Sequence, residues 1–327
     1  MDLNENVLKH DVGGFFSGLR KMLPKRGDTN VDEKRSDHQG NGVVRLGAIH
    51  TEAKNVFPRC FVGARMTIVR EILDRVKVLQ EYSYGKPKEP HRFFTNLLQK
   101  EVEKGKNEEG LLIDSSGSAT ATYAEKIADD YELRVTSKIR DIVSSETDIT
   151  IERRTYKSIS SLTYSMRNVD PSSLNLITQW MYGVLPQFAI GIEMRLQPLV
   201  SPGPPTPDMS LSARYDSPHF ILSSTVGKSG YEVCFFKQFS PKIRLATILH
   251  DRSRDVGTTV GIGVQKVYPD GSESKIFIDS QRCGGLTYQK KIYVENDAGN
   301  KYVCVVASAV IDRNKRIQFG FGFDLDL

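Results

Sequence analysis

A catalytic centre needs a nucleophile, base or metal ligand with partners at suggestive spacing, and this sequence offers none. His50 and His250 are single imidazoles without a carboxylate, serine or cysteine placed to act with them. Cys60, Cys234, Cys283 and Cys304 lie far apart and form no CxxC pair, so neither a disulfide framework nor a zinc site is indicated. Gly261-Ile262-Gly263 sits inside an alternating segment with no helix after it. It reads as a place of close packing, not as a nucleotide loop. No enzyme, metal or cofactor is expected. What remains is the chemistry of charge recognition. Glu132, Glu152, Glu193, Asp279, Asp324 and Asp326 all fall on the polar phase of alternating segments. Such carboxylates can attract basic groups, or pair with Arg134, Lys138, Arg140, Arg195 and Arg244 across strands.

The elements that must position these acids are strands. In the last segment Ile317, Phe319, Phe321, Phe323, Leu325 and Leu327 are apolar, and Gln318, Gly320, Gly322, Asp324 and Asp326 interleave. Successive strand side chains point to opposite faces, so one face is greasy and the other wet. The same period recurs in 131–140, 188–197 and 255–265, and less strictly in 172–184, 242–250 and 302–311. Turn signals such as Asp216-Ser217-Pro218 and Asp270-Gly271 separate the runs. Residues 91–99 are counted as a poor strand before a charged loop, and 198–208, with five prolines, as an exposed loop. The total comes to about nineteen strands.

Ahead of the strands, LGAIHTEAKNVF (46–57) has helical spacing. Ile49, Ala53, Val56 and Phe57 share one stripe, His50 and Lys54 lie off it, and Pro58 ends the segment. A helix this short is marginal alone and must dock. Residues 1–45 are polar, and 26–42 have the composition of a disordered segment. The division is therefore 1–45, a polar, partly disordered segment; 46–57, an internal helix; and 58–327, the strands.

Mean hydropathy is −0.36 and net charge +5 over 327 residues. No apolar run is long enough for a spanning helix. Barrel strands bury only alternate residues in lipid, so these values do not argue against a membrane. The N-terminus lacks the basic region and apolar core of a secretory signal, and the mild positive charge does not call for nucleic acid. A sandwich also alternates, but nineteen strands exceed what one sandwich uses, and several segments reach the length of a spanning strand. The expected fold is an all-β transmembrane barrel of about nineteen strands. Trp180 and Tyr82, Tyr156, Tyr164, Tyr182, Tyr215 and Tyr288 are candidates for its interfacial aromatic girdles.

Three places resemble the central pore subunit of the translocase of the outer mitochondrial membrane. Ile49-His50-Thr51-Glu52-Ala53-Lys54 leading to Phe57-Pro58, then Phe61-Val62-Gly63-Ala64-Arg65, looks like that family's internal helix running into strand one. Leu245-Ala246-Thr247 with Ser253-Arg254-Asp255-Val256 is similar to a hairpin of its second half. Gln318, Gly320, Phe323 and Leu325 fit the mitochondrial sorting signal read on the last strand. The resemblance implies a passive conduit for unfolded precursor proteins across the mitochondrial outer membrane. Its helix, with Ile49, His50, Lys54 and Phe57, would lie in the lumen, and its N-terminal segment would face the intermembrane space. It further implies precursors with basic amphipathic import signals as cargo for the six carboxylates. Small helical subunits, import receptors, outer-membrane lipid and more than one barrel per complex complete the implied partners. A metabolite pore of the voltage-dependent anion channel type and a soluble β-rich scaffold are the alternatives. The roughly 45 residues before the helix favour the translocase over the anion channel.

Overall fold

Alternation this sustained leaves each strand one face that avoids water and one that seeks it, and a closed sheet separates the two without leaving an open edge. The structure, a computed structural model, describes residues 43–72, 76–84, 108–114, 118–128, 130–141, 144–168, 173–196, 207–228, 230–252, 257–296 and 299–326. Among them, eighteen strands form one sheet that closes into a barrel. The strands are β1 (Gly63–Ile72), β2 (Val76–Tyr84), β3 (Glu108–Asp114), β4 (Ala119–Ala128), β5 (Tyr131–Asp141) and β6 (Ser144–Arg154). Next come β7 (Ser158–Arg167), β8 (Asn175–Leu185), β9 (Phe188–Leu196), β10 (Asp208–Asp216), β11 (Phe220–Gly227) and β12 (Gly230–Ser240). The last six are β13 (Ile243–Arg252), β14 (Gly257–Val267), β15 (Glu273–Asp279), β16 (Gly284–Asn296), β17 (Gly299–Ile311) and β18 (Ile317–Asp326). The expected total of about nineteen included 91–99, which lies outside the described residues, as do 1–42.

Sequence neighbours pair antiparallel except at two places. β1 pairs parallel with β18, from Gly63↔Gly320 to Val69↔Asp326, and this seam closes the ring. β2 pairs parallel with β3, from Val76↔Glu109 to Glu81↔Asp114. An even number of strictly alternating strands would close on an antiparallel seam, so the parallel seam requires a second parallel step. β2 therefore ends at the rim opposite the one where β3 begins.

The register assigns the faces. In β18, Phe319, Phe321 and Phe323 are 71%, 49% and 40% exposed, while Gly320 and Gly322 between them are buried. Ile262 and Val264 of β14, Ile276 and Ile278 of β15 and Leu286 of β16 continue the exposed apolar face. No helix among the described residues is long and apolar enough to cross a membrane. The strands supply the hydrophobic belt instead: ten residues tilted to the barrel axis match a hydrocarbon core.

The opposite face carries the residues before β1. The helix expected over 46–57 is broken in two: a 3₁₀ turn (Leu46–Ala48), then α1 (Thr51–Val56). The break falls at Ile49–His50, where His50 holds both ring nitrogens to β11: Nδ1 lies 2.7 Å from Ser223 Oγ and Nε2 2.9 Å from Thr225 Oγ1. Ile49, Ala53, Val56 and Phe57, the predicted stripe, are all buried. They form two patches. Leu46 and Ile49 pack with Met181 and Ala189, and Ala53, Val56 and Phe57 pack with Cys234, Ala246, Ile248 and Phe277. Gly263 makes the close approach possible, since a Cβ there would stand 3.2 Å from the Phe57 ring.

Candidate functional site

Residues 43–62 lie along the wall from β5 to β18, and the wall offers them charged partners as well as apolar ones. Arg45 reaches across β5 and β6. Its guanidinium is 2.9 Å from Glu132 and 2.6 Å from Glu152, and each acid also holds its own arginine: Arg134 at 2.9 Å and Arg154 at 2.6 Å. Burial works against the Arg45 charge, yet the two carboxylates hold its pKa above the ordinary value. Arg214 of β10, 2% exposed, donates to Glu52 at 2.8 Å, to Asp216 at 3.2 Å and to the Ile49 carbonyl at 3.1 Å. Lys54 pairs with Glu232 of β12 at 2.7 Å. Burial pushes the His50 imidazole down to about 4, with Lys54 and Arg214 adding to the fall and Glu232 and Glu52 opposing it.

Past α1 the chain meets the seam. The Phe61 N–H donates to Ser308 of β17 at 3.0 Å, and Arg65 reaches Asp324 of β18 at 3.2 Å while its guanidinium lies 5.0 Å from the Phe61 ring centroid. A Cβ on Gly320 would collide with the Phe61 carbonyl oxygen. The glycine of the sorting pattern is thus required by the entry of β1. Gln318 faces the same side as Gly320, whereas Phe323 and Leu325 lie on the apolar phase.

The six carboxylates take different situations. Glu132 and Glu152 share Arg45. Glu193 accepts from Arg195 at 2.6 Å and from Gln179 at 2.6 Å. Asp279, buried, accepts the N–H groups of Gln281 and Cys283 and so caps the turn after β15. Asp324 holds Arg65. Asp326 ends β18 in register with Val69. Arg134 and Arg195 pair two residues along their own strand rather than across strands; the residues directly opposite Arg134 are Ala124 and Thr150, which offer it no carboxylate.

Sequence reasoning missed Arg45, Glu52, Arg214 and Glu232. Their long-range pairings join positions from 87 residues apart, for Arg45–Glu132, to 178 apart, for Lys54–Glu232. Alternation through Ser210, Ser212 and Arg214 was the available signal for Arg214's face. It was also available for Glu146 and Asp148, which share the Glu152 face of β6.

Between β5 and β9 the same face is lined by hydroxyls, amides and charges. Thr150 bonds Thr163 at 2.9 Å, Ser161 bonds Gln179 at 3.2 Å, and Gln179 bonds Glu193. A recess of about 220 Å³ opens there beside Arg45, Glu132 and Glu152. The wall is thus divided: a bed of apolar and charge-paired groups where residues 43–61 pack, and an open polar stretch beside it.

A closed sheet with an exposed apolar face and a polar opposite face has the architecture of a porin-type transmembrane β-barrel. Over most of its length the chain is similar to proteins named mitochondrial import receptor subunit TOM40 homolog. It is 27% identical to that of Caenorhabditis elegans over 256 residues, 75% of this chain and 82% of the relative. It is 27% identical to that of Caenorhabditis briggsae over 198 residues, 58% and 64%, and 21% identical to that of Xenopus tropicalis over 279 residues, 83% and 82%. No family model matches. The resemblance drawn from the residues is shown by these relatives, each named as a mitochondrial import receptor subunit.

Proposed function

We propose that this chain is the protein-conducting channel of the mitochondrial outer-membrane translocase, passing unfolded precursor proteins. The observation that carries the reading is a closed barrel whose length is largely covered by relatives named as import receptor subunits. In this reading the face bearing residues 43–61 lines an aqueous lumen, and 46–57 lie inside it. The apolar stripe buried on β12–β15, on the face opposite the exposed belt, supports this.

The polar wall suits cargo that must bind and then leave. A basic amphipathic signal would meet Glu132, Glu152 and Glu193, which are already partly neutralised by Arg45, Arg134 and Arg195, so each contact stays weak. Asp324 would extend the acidic surface to the seam. Asp279, committed to its turn, would contribute field rather than contact. Val43 packs at Gly183 near the end of β8, at the rim where β18 also ends. This supports an N-terminal segment on the same side as the C-terminus, which we assign to the intermembrane space. Import receptors, small helical subunits and a second barrel would attach to the outer belt.

The test is single-channel recording from the chain in planar bilayers with a synthetic basic amphipathic import peptide. Transient, voltage-dependent block is expected. Steady current at saturating peptide would overturn the protein-conducting reading.

A further inference from the structure

The outer face carries cations that the conduit has no use for, and they are not scattered. Lys237 of β12 lies 4.8 Å from the Phe239 ring centroid, and Lys266 of β14 lies 4.9 Å from that of Tyr268. Register places both on the apolar phase, with Leu245 and Ile243 of β13 between them. One strand, β13, lies between them, and two strand spacings with a two-residue offset put their backbones about 12 Å apart. Tyr268 meets Tyr288 edge-on at 6.5 Å and accepts from Ser274 at 3.4 Å, while Lys290 reaches Asp270 at 3.5 Å. Lys242 is exposed in the turn between β12 and β13. All sit toward the rim where β12, β14 and β18 end. Toward the other rim the same face of these strands shows Tyr231, Val233, Leu249, Val260, Ile278 and Leu286 with the acid Asp251, while the exposed cations there, Lys228 and Arg282, lie in the turns.

A cation within an apolar belt is costly unless it reaches the interface, and rings fix the depth at which it does so. Among the described residues neither Lys237 nor Lys266 is ion-paired. We propose that this patch of β12–β16 seats anionic phospholipid headgroups, with the phosphate bridging the Lys237 and Lys266 ammonium groups and the Tyr268 ring packing against the glycerol backbone. Charge complementarity selects the occupant: two unpaired ammonium groups at headgroup depth, beside an apolar wall for acyl chains, match a lipid phosphate. The inference rests on the membrane-barrel reading.

The experiment follows thermal unfolding of the full chain in nonionic detergent, titrated with phosphatidylcholine, phosphatidylglycerol or inorganic phosphate. Both lipids should stabilise the wild-type chain, phosphatidylglycerol at lower concentration. Lys237→Gln and Lys266→Gln should each weaken the phosphatidylglycerol response about fivefold, leaving the phosphatidylcholine response unchanged. Lys237→Arg with Lys266→Arg should keep it, and so should Lys228→Gln, at the opposite rim. Equal response to the two lipids, an undiminished phosphatidylglycerol preference in the double glutamine variant, or equal stabilisation by inorganic phosphate overturns the headgroup seat. Indifference to both lipids instead counts against the membrane barrel itself.

Discussion

Removing the Phe57 ring should release residues 51–57 from the wall while leaving the barrel closed. The ring is 2% exposed, lies 6.3 Å from that of Phe277 and rests on Gly263. Phe→Ala at a buried site costs about 3–5 kcal/mol. Little else replaces it. The Lys54–Glu232 pair, 34% and 20% exposed, contributes about 1 kcal/mol or less. α1, at six residues, has no stability of its own. Arg214 keeps Asp216 even if Glu52 departs. Docking should therefore weaken by a factor between about one hundred and several thousand. Amide hydrogen exchange in detergent reads this directly. In Phe57→Ala, protection of 51–57 should fall by that factor with strand protection unchanged, whereas Lys54→Met should change it less than about tenfold. Wild-type protection of 51–57 in Phe57→Ala would refute an apolar anchor.

Two further outcomes follow from the same contacts. His50 is held down to about 4, below its unperturbed value of 6.5, so the docked segment binds fewer protons than the free one. Docking is then fully present above pH 6.5 and weakens as pH falls, by about 2 kcal/mol at pH 5 and roughly 3 below pH 4; exchange of 51–57 across pH should follow this slope, and His50→Gln should flatten it. At the seam, Gly320→Ala drives a methyl into the Phe61 carbonyl and Phe323→Asp puts a carboxylate on the lipid face, each costing on the order of 1–3 kcal/mol. Both variants should lose heat-modifiable folded barrel on insertion into membranes, and normal assembly of both would show that the seam tolerates what the geometry forbids.

What was legible in the sequence was whatever a period can carry. The alternation of 317–326 predicted the exposed Phe319, Phe321 and Phe323 and the buried glycines between them, and the stripe of Ile49, Ala53, Val56 and Phe57 predicted the docked face of the helix. The break at Ile49–His50 was not legible, because it depends on hydroxyls of Ser223 and Thr225 some 170 residues away. For the same reason the acids could be assigned a face but not a partner. Glu132 and Glu152 meet Arg45, which no local pattern connects to them. Asp279 read as a lumen carboxylate, yet it caps a turn, since an acid at a strand end has backbone N–H groups within reach.

The parallel seam has a consequence for how such a molecule is made. Phe61 and Ser308, which bond beside it, are separated by 247 positions, so the ring cannot be completed until the last ten residues have arrived. Until then the chain carries two unsatisfied strand edges in a medium that punishes them. A nascent or truncated chain ending before Ile317 therefore keeps both edges open. β18 is thus the piece that finishes the circle.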